Sequence, residues 1–332
     1  VASAGRLLAA VAPGDPLVAA LAEGETLVSL VAERSEAIRG TSVAGDGLVL
    51  VPAGAVARAV VVLEGDALVV YEPGPGGAGD AIRTVREVGS GAHALWALGP
   101  SGSLARREIA RGASARRAHR IAIAEWKLLT ACALLGLARS ALEIGARYAK
   151  ERVQFGVAIG SFQAIAHPLA DCATRVDGAE LLCWEAAWAR SAAPARFEAL
   201  ASMAFVWAGQ TAQRTAGISL HTHGGYGFSL EYDIQMHYRR AFAWGLPAGG
   251  TREERGRIAG LCFDPGLAVE DDGGIDAGEA SALDFRLGEK AERVEAEIAD
   301  FLRREFTAAD AERERREGGG HDWPLYRKLA AY

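Results

Sequence analysis

The chain has 332 residues, half of them hydrophobic, and a formal net charge of −6 at neutral pH. Such a length buries a large core and suggests two or three domains. The mild acidity excludes a nucleic-acid surface, because the basic runs Arg106-Arg107 and Arg116-Arg117 are short enough to be solvated helix or loop charges. No apolar stretch is expected to reach membrane-spanning length, and no signal-peptide pattern opens the chain, so the expected protein is soluble and cytoplasmic.

Residues 1–24 place Leu7, Leu8, Val11, Leu17, Val18 and Leu21 at helical spacing, broken by Pro13-Gly14-Asp15-Pro16, which predicts two short helices. From 25 to 115 the pattern changes to β-branched runs at Leu27–Val31, Leu48–Val51, Ala59–Leu63 and Leu68–Tyr71. Gly- and Pro-rich turns separate them, and a small antiparallel β domain is expected. Residues 116–246 predict an up-and-down four-helix bundle with segments near 116–150, 162–192, 195–219 and 231–244.

Ser161 is the expected N-cap of the second bundle helix. Arg147, Lys150 and Arg152 gather at the end of the first, where cations suit the macrodipole. Trp184, Trp188, Trp207 and Trp244 read as core or helix-contact residues. Residues 247–283, with Asp271-Asp272-Gly273-Gly274 at their centre, are too poor in apolar side chains for a core and read as a linker. In 284–332 a helix shows Val294, Ile298, Phe301 and Leu302 on one face, and a Trp323-Pro324 turn leads into another short helix. Cys132, Cys172, Cys183 and Cys262 form no Cys-x-x-Cys pair; the first three sit in apolar helical patterns and are expected as buried free thiols.

Two motifs carry the chemistry. Arg152-x-Gln154-Phe155-Gly156 is followed by Phe162-Gln163-Ala164 and His167-x-Leu169-Ala170-Asp171; His223-Gly224-Gly225-Tyr226-Gly227-Phe228 is followed by Arg239-Arg240-Ala241. In this order and on a helical background they resemble the acyl-CoA dehydrogenase family. The resemblance implies FAD and an acyl-CoA substrate. It implies that Arg152, Gln154, Phe155, Phe162, Gln163, His221, Gly224 and Gly225 reach the adenine and pyrophosphate end of a neighbouring subunit's flavin.

In the family a glutamate removes the thioester's α-proton while hydride leaves to the flavin. That glutamate most often stands seven residues after the Ala of the Arg-x-Ala motif, which here is Ala248; a second branch supplies it 26 residues before the conserved Arg, which here is Trp126. Glu125 is adjacent but about 100° around the helix. Either it reaches the site through a shifted helix start or the unit has no base, and the register favours the second. Glu253 and Glu254 sit in Thr-Arg-Glu-Glu-Arg, the pattern of a solvated charged helix. The family's Thr-Glu-Pro segment is missing from Leu27–Arg34, so the ring side of this unit's own site reads as eroded.

The order of segments implies a fragment spanning the junction of two fused dehydrogenase units: 1–24 ends one helical domain, 25–115 is its β domain, 116–246 its bundle, 247–283 a linker and 284–332 the start of a second unit. The chain begins at Val1 and stops within an apparent helix. Three functional readings remain: a supporting half of an acyl-CoA dehydrogenase within a homo-oligomer, with an electron-transfer flavoprotein as possible acceptor; an independent enzyme using Glu125; or a bundle without flavin.

Overall fold

The structure, a computed structural model, describes residues 1–32, 48–74, 77–86, 88–98, 103–248, 251–263, 289–317, 325 and 327–329. The chain opens with α1 (Ala2–Val11) and α2 (Pro16–Ala22), the two expected short helices. Asp15 caps α2 by accepting the Leu17 N–H at 3.0 Å, with Pro16 at the first helical position.

Seven strands follow: β1 (Val28–Leu30), β2 (Leu48–Val51), β3 (Ala59–Glu64), β4 (Ala67–Pro73), β5 (Ile82–Thr84), β6 (Ala94–Ala97) and β7 (Leu104–Arg111). They form two sheets, ordered β1-β3-β4-β7 and β2-β6-β5. Every pairing is antiparallel except β1 with β3, a correction made possible because the intervening chain crosses to the second sheet and returns.

Strands β1, β3 and β4 of the first sheet are buried on both faces, which explains the unbroken Val60-Val61-Val62 run in β3. Val61, Leu68 and Val70 pack with Leu7, Leu8, Leu17 and Ile123 on the helical side. Val60, Val62, Val69 and Tyr71 pack with Val51 and Trp96 of the second sheet. Each fully buried Val or Leu contributes roughly 1.5–3 kcal/mol.

Strand β7 holds Arg106 and Arg107, expected in a helix or loop. They lie on an edge strand, where Arg106 bonds Glu64 at 2.8 Å and Arg107 bonds Asp15 at 2.5 Å.

Gly112, with φ 90°, turns the chain from β7 into α3 (Ala113–Glu151). The bundle continues with α4 (Gln163–Ala192), α5 (Pro194–Thr222) and α6 (Ile234–Ala243). Fully buried Ala131, Ala138 and Ala141 of α3 meet Ala201, Ala204, Ala208 and Ala212 of α5 in one core, and such small side chains let the backbones come close. At the tightest point a Cβ on Gly145 would lie 2.5 Å from Ser219 Oγ. Helix α6 is shorter than the expected 231–244 segment because the preceding residues turn before the helix starts.

Four further expectations are corrected. Ser161 does not cap α4: its Oγ donates to Ala158 O at 2.7 Å within a 3-10 turn, and Phe162 takes the cap position without a side-chain bond. Helix α3 is long and apolar enough to cross a membrane by length and composition, but 56% of that stretch is buried inside the protein. The expected linker contains α7 (Thr251–Phe263), which packs against α5. Cys132 is exposed, as is Cys262, whereas Cys172 and Cys183 are buried.

Helices α8 (Glu289–Glu305) and α9 (Ala308–Glu317) follow further along the chain. On α8 Phe301 is buried while Val294, Ile298 and Leu302 stay partly exposed. Helix α9 was not expected; Thr307 and Asp310 form a reciprocal cap at its start. The centre of the predicted linker at 271–274, Glu33 and Arg34, residues 284–288 and the Trp323-Pro324 turn lie outside the described residues.

Candidate functional site

The site residues of the first motif sit on one hairpin at an end of the bundle. Arg152 follows α3 and leaves the helix in an extended conformation, its N–H bonded to Tyr148 O at 2.9 Å. Two short strands, β8 (Val153–Gln154) and β9 (Val157–Ala158), then pair around Phe155 and Gly156. Both turn residues have positive φ, 55° and 83°, the backbone a tight two-residue hairpin requires. For Phe155 this left-handed backbone costs about 1–2 kcal/mol, and the ring it holds out is 94% exposed. Its edge meets Phe162 with centroids 6.1 Å apart. Gln154 and Gln163 are exposed on the same hairpin and helix start.

The second motif packs beside the first. His221 is exposed in the last turn of α5, and a 3-10 turn, Gly224–Phe228, follows. Gly224 has φ 60°, and a Cβ on Gly227 would lie 2.6 Å from Leu220 O, so neither position accepts a side chain without strain.

The turn presents Tyr226, over which the Arg152 guanidinium lies 5.8 Å from the ring centroid. Behind it His223 is buried, stacked on Tyr148 at 4.1 Å, with Nδ1–H donating to Ser219 O at 2.7 Å. Tyr232 closes this cluster edge-on to both Tyr148 and His223. His223 therefore supports the turn, and Tyr226 is the site residue that the sequence did not single out, although it stood inside the quoted motif.

No carboxylate pairs with Arg152 among the described residues, so this end of the bundle presents an exposed guanidinium, two left-handed or glycine turns and two exposed aromatic rings. That donor set fits the phosphate and flat adenine portion of a dinucleotide such as FAD.

The base positions lie elsewhere. Trp126 is 26 residues before Arg152 on the same unbroken helix, which separates them by roughly 39 Å at 1.5 Å per residue. Ala248 lies in a 3-10 turn, Leu246–Ala248, shortly before α7, and α7 is tied to the Trp126 end of α3 by a Lys127–Glu254 contact of 2.6 Å. The positions expected to hold the base thus lie towards one end of α3 and the residues expected at the cofactor towards the other.

Trp126 is half-buried beside Phe205, with centroids 6.2 Å apart. Glu125 accepts from Arg190 Nε at 2.7 Å and pairs with Arg6 at 3.3 Å, joining α1, α3 and α4. Glu254, expected as a solvated charge, is 6% exposed and paired with the equally buried Lys127. That pair was invisible to sequence periodicity because its members are 127 residues apart.

The architecture is that of acyl-CoA dehydrogenases. The structure superposes on the ChsE4-ChsE5 complex from Mycobacterium tuberculosis with a TM-score of 0.67 at 24% identity, covering 80% of this chain and 75% of that one. It also superposes on a glutaryl-coenzyme A dehydrogenase in complex with glutaryl-CoA, with a TM-score of 0.65 at 22% identity over 80% and 74% of the two chains. Residues 109–260 match the family described as acyl-CoA dehydrogenase, C-terminal domain.

Among characterised relatives, this chain is 36% identical over 129 residues to caffeyl-CoA reductase-Etf complex subunit CarC of Acetobacterium woodii, 38% of this chain and 33% of that protein. It is 39% identical over 132 residues to benzylmalonyl-CoA dehydrogenase of Aromatoleum aromaticum, 40% of this chain and 34% of that protein. The matches span about a third of the length of these relatives.

Proposed function

We propose that the chain is a supporting unit of an FAD-dependent acyl-CoA dehydrogenase-type oxidoreductase, contributing the phosphate and adenine edge of a flavin site whose ring contacts and base come from another dehydrogenase unit. The observation that supports this reading is that neither position expected to hold the base carries a carboxylate: one is Ala248 and the other is Trp126, half-buried beside Phe205.

FAD supplies the hydride acceptor when bound. Arg152 would hold a phosphate of the cofactor, the Gly224-Gly225 turn would let the backbone approach it, and the exposed Phe155 and Phe162 would offer apolar contact. Gln154, Gln163 and His221 add exposed polar contacts around that edge.

Neither expected base position of this unit offers a carboxylate. Ala248 and Trp126 have none, and Glu125 is engaged by the guanidinium groups of Arg190 and Arg6 as part of the fold. A second dehydrogenase unit that carries a carboxylate at the base position provides the missing half, since a homo-oligomer of this unit alone repeats Ala248 and Trp126. An electron-transfer flavoprotein is the proposed acceptor, consistent with a relative named as part of an Etf complex; the acyl-CoA class is supported by the relatives' substrates, all named as CoA thioesters in the two above.

The test is Arg152→Ala in the assembled protein. Loss of a charge-assisted phosphate contact is expected to lower flavin occupancy several-fold at limiting FAD, with circular dichroism unchanged. Unchanged flavin absorbance per protein would remove Arg152 from the site.

A further inference from the structure

Cys132 stands in the middle of α3, exposed, and Cys183 in α4, buried. Two ion pairs fix how these antiparallel helices lie: Glu125 with Arg190 at 2.7 Å, and Arg139 with Glu180. Glu125 and Arg139 are each seven residues, two helical turns, from Cys132, on either side of it. Arg190 follows Cys183 by seven residues and Glu180 precedes it by three, so the same faces that make the ion pairs bring the two cysteines opposite each other. Fully buried Ala131, Ala138, Ala179 and Ala186 line this contact and leave room for close approach.

The Cys183 side chain holds the Cys132 thiol down to about 7, against the opposing effect of desolvation. The Cys132 side chain, followed by burial, pushes the Cys183 thiol up.

We propose that Cys132 and Cys183 form a redox pair that a peroxide-class oxidant converts into a disulfide between α3 and α4. The exposed Cys132 thiolate attacks one peroxide oxygen, the O–O bond breaks, and Cys132 becomes a sulfenic acid while the leaving oxygen takes up a proton as water. Cys183 sulfur then attacks Cys132 sulfur. The S–S bond forms, the S–O bond breaks, and the Cys183 proton leaves with that oxygen as a second water. Two thiols lose two electrons in all, and one hydrogen peroxide is reduced to two waters. Cys132 is the attacking residue because it is exposed and ionises more readily; Cys183 resolves because it is sheltered and adjacent. The chain between the two cysteines carries Arg152, Phe155, Phe162 and Gln163, so the bond closes a covalent loop around the hairpin edge.

The experiment treats the purified chain with equimolar hydrogen peroxide and follows it by intact mass, thiol titration and peptide mapping. The expected result is the loss of two hydrogens and two of the four thiols, a Cys132–Cys183 linked peptide, and full reversal by dithiothreitol. Cys183→Ser leaves Cys132 without a resolving thiol, so dimedone should trap a sulfenic acid there; Cys132→Ser should abolish the mass loss. Unchanged thiols, overoxidation of Cys132 without a cross-link, or a disulfide through Cys262 between chains would each overturn the proposal.

Discussion

Arg152 and Phe155 do different work although they are three residues apart. The guanidinium rests over Tyr226, and the phenyl ring is held out at the tip of a turn that only a strained residue or glycine adopts. Both were legible in the sequence because the motif is local and its turn chemistry is written in adjacent residues. Glu125 shows the opposite case: its identity was plain, but its partners Arg6 and Arg190 are distant in sequence and emerge only from packing. Glu125→Gln is expected to destabilise the fold by about 1–3 kcal/mol, since two guanidinium groups lose a charged acceptor. Flavin content and turnover of the assembled protein should stay near wild type below the melting temperature. Lost turnover at full flavin content and unchanged stability would make Glu125 the base after all.

Among the elements, the long bundle helices followed from apolar spacing, and the observed ends of α3, α4 and α5 fall within three residues of the expected ones. Edge strand β7 did not, because its exposed Arg106, Arg107, Glu108 and Arg111 give no β-type alternation of apolar residues. Helix α7 was missed for a related reason: its charged sequence resembles a linker, yet its burial is polar. Lys127 and Glu254 are 2% and 6% exposed, and Glu198, 5% exposed, receives Arg120 and Arg257. Removing one member of such a pair strands the other charge. Lys127→Met is therefore expected to cost about 3–5 kcal/mol in a urea titration, while Lys127→Met with Glu254→Leu should recover most of that loss. Equal losses in the single and double variants would show that the pair's charges are not what docks α7.

At the scale of the molecule, a β sandwich with two short helices stands on the start of α3, and the far end of α3 carries the hairpin edge. The fold class was legible from the change between β-branched runs and long helical spacing. The division of the site between opposite ends of one helix was not, because motif spacing gives residue counts and only a continuous helix turns them into distance. The lack of a carboxylate at Ala248 and Trp126 is the reason for reading the chain as a supporting unit, and flavin content tests that reading directly. Residues 1–332, purified alone and supplied with FAD, are expected to remain colourless after desalting and to show no response to an acyl-CoA. A yellow monomer whose flavin absorbance bleaches when an acyl-CoA is added anaerobically would contradict the supporting-unit reading.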